Sequence, residues 1–409
     1  EAETMLAGTG LVPLRAGAVG KAQAAAVKDA KFVPGGGLSI PLVRGDNDWA
    51  AIGTVTEVMG DYVLGFGHSL YARGTVKLPM GPAYVHTTIA SMATSFKLGS
   101  TLAVTGSLTD DEYTGVGGRI GEKAPMIPMT VVVRWGDVSQ TFQYRLVRHN
   151  WLTASMASMV MRDSLWANRD LPERYTIDYA VDIDFEKYGK YHAANLTSSS
   201  GTWDMSSDLT RPMAAMMNSD LSRAVYPKRI DVSMTIHRVQ KTADILALDL
   251  AEHTYRPGQT VKGKVTLRPY RAERIALDVS LTLPEDLPDG NYTVTVGDGY
   301  KLLEALRSDR PHRFDPRNMQ QLFDAVKRVV EPRMDRLYLR LRLPGGGLAV
   351  KKNELKPLPA SLAEVLARTS PMDTNTYRRS LTADFKAEFV VSGSASASFT
   401  VEKDPRRLH

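Results

Sequence analysis

The sequence predicts a mainly β protein built of several units: a barrel-like β unit, a mixed connecting region, and an immunoglobulin-like β-sandwich with helical insertions. Three observations predict it. Short runs rich in Val, Ile, Leu and Thr are separated by Gly and Asp turns, the texture of all-β units. A Met- and Ala-rich stretch between two such regions has the composition of a packed helix. The chain has 409 residues, more than one hydrophobic core ordinarily holds.

Residues 1–37 read as a connector. An Ala/Lys stretch from Lys21 to Lys31 predicts a short helix, broken by Gly35-Gly36-Gly37. Ala7, Leu11 and Val12 are apolar with no start region before them, so the expectation is a trimmed longer precursor. Residues 38–150 form the first β unit, with strands expected at Ile40–Val43, Ala50–Val58, Tyr62–Phe66, Thr101–Leu108 and Met129–Trp135. Residues 151–225 are mixed. Trp151–Ala167 predicts a helix, Ser198–Asp208 a polar loop and Pro212–Ser222 another helix. Tyr179–Glu186 alternates, with Val181, Ile183 and Phe185 on one face and Asp182, Asp184 and Glu186 on the other.

Residues 226–409 predict the immunoglobulin-like domain. Strands are expected at Ile230–His237, Ile245–Leu250, Thr260–Leu267, Ala276–Leu283 and Tyr292–Val296, with turns at Arg256–Gln259 and Pro288–Asn291. Helices follow at Lys301–Ser308 and Met319–Val330. Leu337–Leu343 and Phe385–Val401 return to strand.

Composition narrows the class. Hydrophobic residues make up 43% and charged residues 23%, a globular balance. No apolar run is long enough to cross a bilayer as a helix. The formal charge of +6 is a mild excess over this length and does not argue for nucleic acid. Cysteine is absent, which excludes disulfides and thiolate metal sites. The eight histidines show no metal-ligand spacing.

The informative segment runs from Pro41 to Gly121. Its landmarks, in order, are Arg44-Gly45-Asp46, Ile52-Gly53-Thr54, Gly65-Phe66-Gly67-His68, Leu78-Pro79-Met80, Ser95-Phe96-Lys97-Leu98-Gly99, and Asp111 before Gly115. This ordered set resembles the peptidase domain of the stage IV sporulation protein B family, and a weaker likeness extends into the C-terminal β domain. The resemblance implies a barrel-like unit comparable to half of a chymotrypsin-like peptidase. It also implies a serine endopeptidase that acts on protein or peptide outside the cytoplasm, in the cell envelope or periplasm, without metal or organic cofactor.

His68 is the candidate catalytic base. It follows a strand-like run, and Gly65 and Gly67 allow a side chain at a strand end to be presented to a cleft. Imidazole can take a serine proton near neutral pH and return it to a leaving amine. The family's catalytic histidine maps onto His68, although relatives often carry Pro where this chain has Ser69. Asp111 stands where relatives carry an Asp and is the candidate orienting carboxylate, with Asp110 as the alternative. A bland reading makes Asp110-Asp111-Glu112 a solvated turn.

The family's nucleophile lies in a Gly-x-Ser-Gly-Ser-Pro segment, which this chain lacks. It is expected upstream of Glu1, making that serine-bearing segment a partner of the present residues. Ser392-Gly393-Ser394 lacks the Pro and falls within an apparent strand. Ser69 adjoins His68 and points away from it, and Ser95 is plausible only as a site-lining residue. The competing expectation is a non-catalytic binding or assembly protein that keeps the peptidase scaffold.

Other patterns have structural explanations. Gly258–Lys264 has a phosphate-loop spacing but runs into a strand and lacks the following Ser or Thr. Arg44-Gly45-Asp46 reads as a turn, and Asp182, Asp184 and Glu186 as a solvated face. Arg336, Arg340 and Arg342 alternate with leucines as an amphipathic strand. Asn195-Leu196-Thr197 matches a glycosylation sequon.

Overall fold

Leu38–Val43 is apolar except for Ser39, and every one of its residues is buried in β1 (Gly37–Gly45). β1 is the seam of a closed barrel. β2 (Trp49–Met59), β3 (Tyr62–Gly65), β4 (Gly74–Ile89), β5 (Phe96–Thr101), β6 (Gly106–Glu112) and β7 (Gly115–Ile120) complete the region. The computed structural model describes residues 30–90, 96–167, 170–199, 205–355, 358–369 and 374–403. The Lys21–Lys31 helix expectation falls almost wholly outside them, as does Ser95.

Six strands pair in the cyclic order β1-β2-β3-β7-β6-β4, with β4 returning to β1, and every pairing is antiparallel. Closure leaves these strands without a free edge along the shared ladder. Leu38, Ile40, Val55, Val63, Leu78, Met80, Leu108 and Val116 are buried in it. The far half of β4 leaves the barrel and pairs with β5. β8 (Met126–Trp135) and β9 (Val138–Val147) follow, and β9 pairs with β1 at Val43–Gly45. Helix α1 (Leu152–Trp166) buries Ala157, Val160 and Met161. Its Asp163 accepts from Asn47 at 2.9 Å, and its Ser164 shares a 2.9 Å hydrogen bond with Tyr144.

The chain divides into two compact units. One runs to Val132 and includes Gln140–Ala167 and Tyr226–Asp231. The other holds Val133–Ser139, residues 168–225 and the chain from Val232 onward.

In the second unit, β10 (Thr176–Phe185) and β11 (Gly189–Ser198) form a hairpin in full register. Val181, Ile183 and Phe185 are buried as the alternation predicts. The hairpin meets α2 (Met205–Asn218): Tyr179 donates to Asp208 at 2.7 Å and Tyr191 to the Asp208 carbonyl at 2.8 Å. After β12 (Pro227–His237) come β13 (Thr242–Leu250), β14 (Thr254–Tyr255), β15 (Thr260–Pro269), β16 (Ile275–Thr282) and β17 (Gly290–Gly297). Helices α3 (Gly299–Asp309) and α4 (Met319–Val329) precede β18 (Arg336–Val350) and β19 (Asn353–Glu354). Helix α5 (Ala360–Thr369), β20 (Thr374–Lys386), β21 (Val390–Ser392) and β22 (Ser394–Val401) end the described chain.

Strands β13 to β22 make two sheets, β16-β15-β13-β21 and β14-β22-β17-β18-β19, with β20 also on β18. One core joins them, containing Val265, Leu267 and Val279 from the first and Val294, Leu339, Leu341 and Phe399 from the second. This is a β-sandwich, and the protein is mainly β. Among the described residues, no helix is long and apolar enough to cross a membrane.

Several expected elements differ. Thr101–Leu108 is not one strand: β5 ends at Thr101 and β6 begins at Gly106. Thr105 donates to the Met80 carbonyl, so the chain turns here to change partners. Asp110-Asp111-Glu112 is the end of β6 rather than a solvated turn, and Asp111 is 1% exposed. Helix α2 starts at Met205, inside the expected Ser198–Asp208 loop, and carries Pro212 within it. Buried Met205, Leu209, Met213 and Met216 outweigh the local cost of the proline. Ser392-Gly393-Ser394 is not mid-strand: Gly393 (φ +97) separates β21 from β22, which lie in different sheets. Asn195 of the sequon is 1% exposed and accepts from Met334 N, so its role here is structural.

Candidate functional site

His68 lies in the loop between β3 and β4, and the backbone before it is strained. Gly67 N donates to Gly65 O at 2.9 Å, closing a three-residue turn with Phe66 at φ 71. A γ-turn with a positive central φ is rare and costs energy in a non-glycine residue. Two contacts hold it. Phe66 N donates to Thr54 O at 2.9 Å. The Phe66 ring lies over Gly53, where a Cβ would come within 2.1 Å of it. The glycine of Ile52-Gly53-Thr54 is thus the seat for the aromatic of Gly65-Phe66-Gly67-His68.

The turn delivers His68 to solvent. Its ring lies 5.5 Å from that of Phe66. Nδ1 is 2.7 Å from the Ser69 carbonyl oxygen. A carbonyl only accepts, so this contact places a proton on Nδ1, and in the neutral ring Nε2 then carries the lone pair. Among the described residues no hydrogen bond reaches Nε2 and no serine hydroxyl is bonded to His68.

Asp111 does not meet the His68 ring. Its carboxylate accepts from Leu70 N at 2.6 Å, Tyr71 N at 2.9 Å and Arg73 N at 3.3 Å. The hydrogen bond expected between Asp111 and His68 Nδ1 is therefore absent. The reason is topological: Asp111 opposes Gly74 across the β4–β6 ladder, beneath the loop rather than beside its tip. Buried in this way, the carboxylate gathers backbone donors that would otherwise be unpaired. Asp110, the alternative, accepts from Tyr62 at 2.9 Å and from Thr109 at 2.6 Å, so it also does not serve His68.

A second cluster packs on the same loop and was not foreseen. Tyr71 meets Trp151 edge to face at 4.7 Å, and the Arg73 guanidinium lies 5.4 Å from the Trp151 ring centre. His149 adjoins Trp151 at 5.6 Å. Burial holds the His149 imidazole below its usual pKa, and Arg73 adds to the effect against the opposing pull of Asp111. Burial and the Asp111 charge push the Tyr71 phenol up. The only sequence signal for this cluster is a His and a Trp two apart just after β9, too weak to single out.

Among the described residues, no three His, Asp or Glu side chains gather as a metal site would require. Asp46 sits in the turn after β1 and accepts from Gln143 N at 2.6 Å, the structural role expected of Arg44-Gly45-Asp46. Compared with known proteins, the chain matches no family model, no curated protein and no solved structure.

Proposed function

We propose that this chain is the histidine-bearing portion of a serine endopeptidase of the stage IV sporulation protein B type, with His68 as general base. The observation that carries the reading is the state of His68: an exposed imidazole with Nδ1–H held by the Ser69 carbonyl and Nε2 open. A serine hydroxyl brought to Nε2 would lose its proton to the ring as Oγ attacks a peptide carbonyl. The imidazolium would then protonate the leaving amine. Asp111 is a positioning residue in this scheme, acting through the amides of the 70–73 loop.

The nucleophile belongs to a Gly-x-Ser-Gly-Ser-Pro segment outside these residues. The reaction takes place on protein or peptide outside the cytoplasm and needs no metal or organic cofactor.

One observation favours a second reading, a non-catalytic binding or assembly protein on the peptidase scaffold. The Asp111 carboxylate is fully engaged by backbone amides and does not support the ring. A fluorophosphonate probe separates the two when applied to the protein expressed from its natural coding sequence. The peptidase reading expects one labelled serine, with labelling lost in His68→Ala. Absence of labelling favours the scaffold.

A further inference from the structure

A cavity of about 420 Å³ lies in the second unit between α4 and the β18–β19 hairpin. His312, Arg313, Asp324, Arg328, Lys352 and Glu354 line it. Three features distinguish it from an ordinary surface recess.

The first is charge. Glu354 is matched by Arg313 at 2.6 Å and Arg310 at 3.5 Å, and Asp324 is the other lining carboxylate. Counting Arg310, the cations Arg313, Arg328 and Lys352 leave two positive charges uncompensated. Asp315 and Arg317, which also act on Lys352, cancel each other.

The second is backbone. Val350 pairs with Asn353 across a two-residue turn in which Lys351 has φ 48 and Lys352 φ 72. Such a turn ordinarily takes Asn and Gly, because L side chains resist the left-handed conformation. Lysine has no conformational advantage there, and strain of this kind concentrates at ligand sites. Lys352 is also partly desolvated, which lowers the pKa of its ammonium together with the nearby Arg317 and Arg328.

The third is an unsatisfied buried group. His312 is 1% exposed. Its Nε2 meets Glu354 at 3.1 Å, while Nδ1 has no partner among the described residues. A carboxylate only accepts, so Nε2 carries the proton and Nδ1 offers a lone pair. Burial holds this imidazole below its usual pKa.

We propose that this cavity binds a doubly charged phosphate group, with Arg328 and Lys352 as its principal cationic contacts. Two excess cations suit a dianion better than a single carboxylate, and guanidinium with ammonium is a common phosphate pairing. The site is separate from His68 and does not depend on the peptidase reading.

The test is calorimetric titration of the whole chain at constant ionic strength with inorganic phosphate, phosphoserine and acetate. Saturable phosphate or phosphoserine binding is expected, with acetate weaker by about tenfold or more. The tighter of the first two identifies the source as free ion or phosphomonoester. Arg328→Gln and Lys352→Asn should each weaken binding by about tenfold. Asn tolerates the left-handed turn, so Lys352→Asn should fold, as circular dichroism would check. No saturable binding, equal binding of acetate, or unchanged affinity in both folded variants would overturn the proposal.

Discussion

The ring of Phe66 lies over Gly53 with no room for a Cβ between them, since a Cβ on Gly53 would come within 2.1 Å of the ring. This contact holds the strained turn that presents His68. Gly53→Ala should displace Phe66 and destabilise the barrel by about 1–3 kcal/mol, the range for overpacking. Urea unfolding measures the loss, and the His68 ring proton shifts should move with it. An alanine variant of wild-type stability with unmoved His68 signals would remove Gly53 from the account.

Asp111→Asn tests the loop clamp. An amide keeps one acceptor oxygen and turns an NH2 toward donors that need acceptors. The expected loss is about 2–3 kcal/mol, with one or more of the Leu70, Tyr71 and Arg73 amides left unpaired. Hydrogen exchange at those three amides should accelerate more than exchange elsewhere in the barrel. Equal acceleration across the barrel would make Asp111 a general core residue instead.

Strands rich in aliphatic residues, such as Ile40–Val43 and Met129–Trp135, were legible because burial follows residue type there. β4 and β7 were not. Gly74–Ile89 mixes Pro, Gly, His and Thr, and Gly115–Ile120 is half glycine by composition, so neither shows a clean period of two. Their glycines serve close packing, as where the Tyr62 ring fills the space beside Gly117. The turn bearing His68 was legible from its two glycines. The bonding of Asp111 was not, because a landmark position does not specify which donors a buried carboxylate will meet. His149 and Trp151 become part of the site only through β9 lying beside β1, a long-range pairing.

Acid should weaken the fold in a specific window. His149 and His312 are both held below the usual histidine pKa by burial. The unfolded chain therefore takes up protons first, and stability falls as pH drops below the ordinary value of 6.5 through the folded pKa of each. Glu354 and Asp244, whose pKa values are depressed, add losses only at lower pH. His149→Phe should flatten the slope of unfolding free energy between about pH 7 and pH 5, leaving the His312 share. An unchanged slope in a stable variant would show that His149 is not buried neutral.

The Nδ1–H tautomer of His68 can be observed directly. Nitrogen-15 chemical shifts of the neutral ring should report a protonated Nδ1 and a bare Nε2. The reverse tautomer would mean that the Ser69 carbonyl does not orient the ring.

The most direct test of the central claim is peptide cleavage by the protein expressed from its natural coding sequence, compared with its His68→Ala variant. An exposed loop histidine is expected to cost no more than about 0.5 kcal/mol to truncate, so the variant should fold and melt as the wild type does. The account predicts turnover of an unfolded protein substrate by the wild type and background cleavage by the variant. Wild-type turnover in a well-folded His68→Ala protein would contradict it.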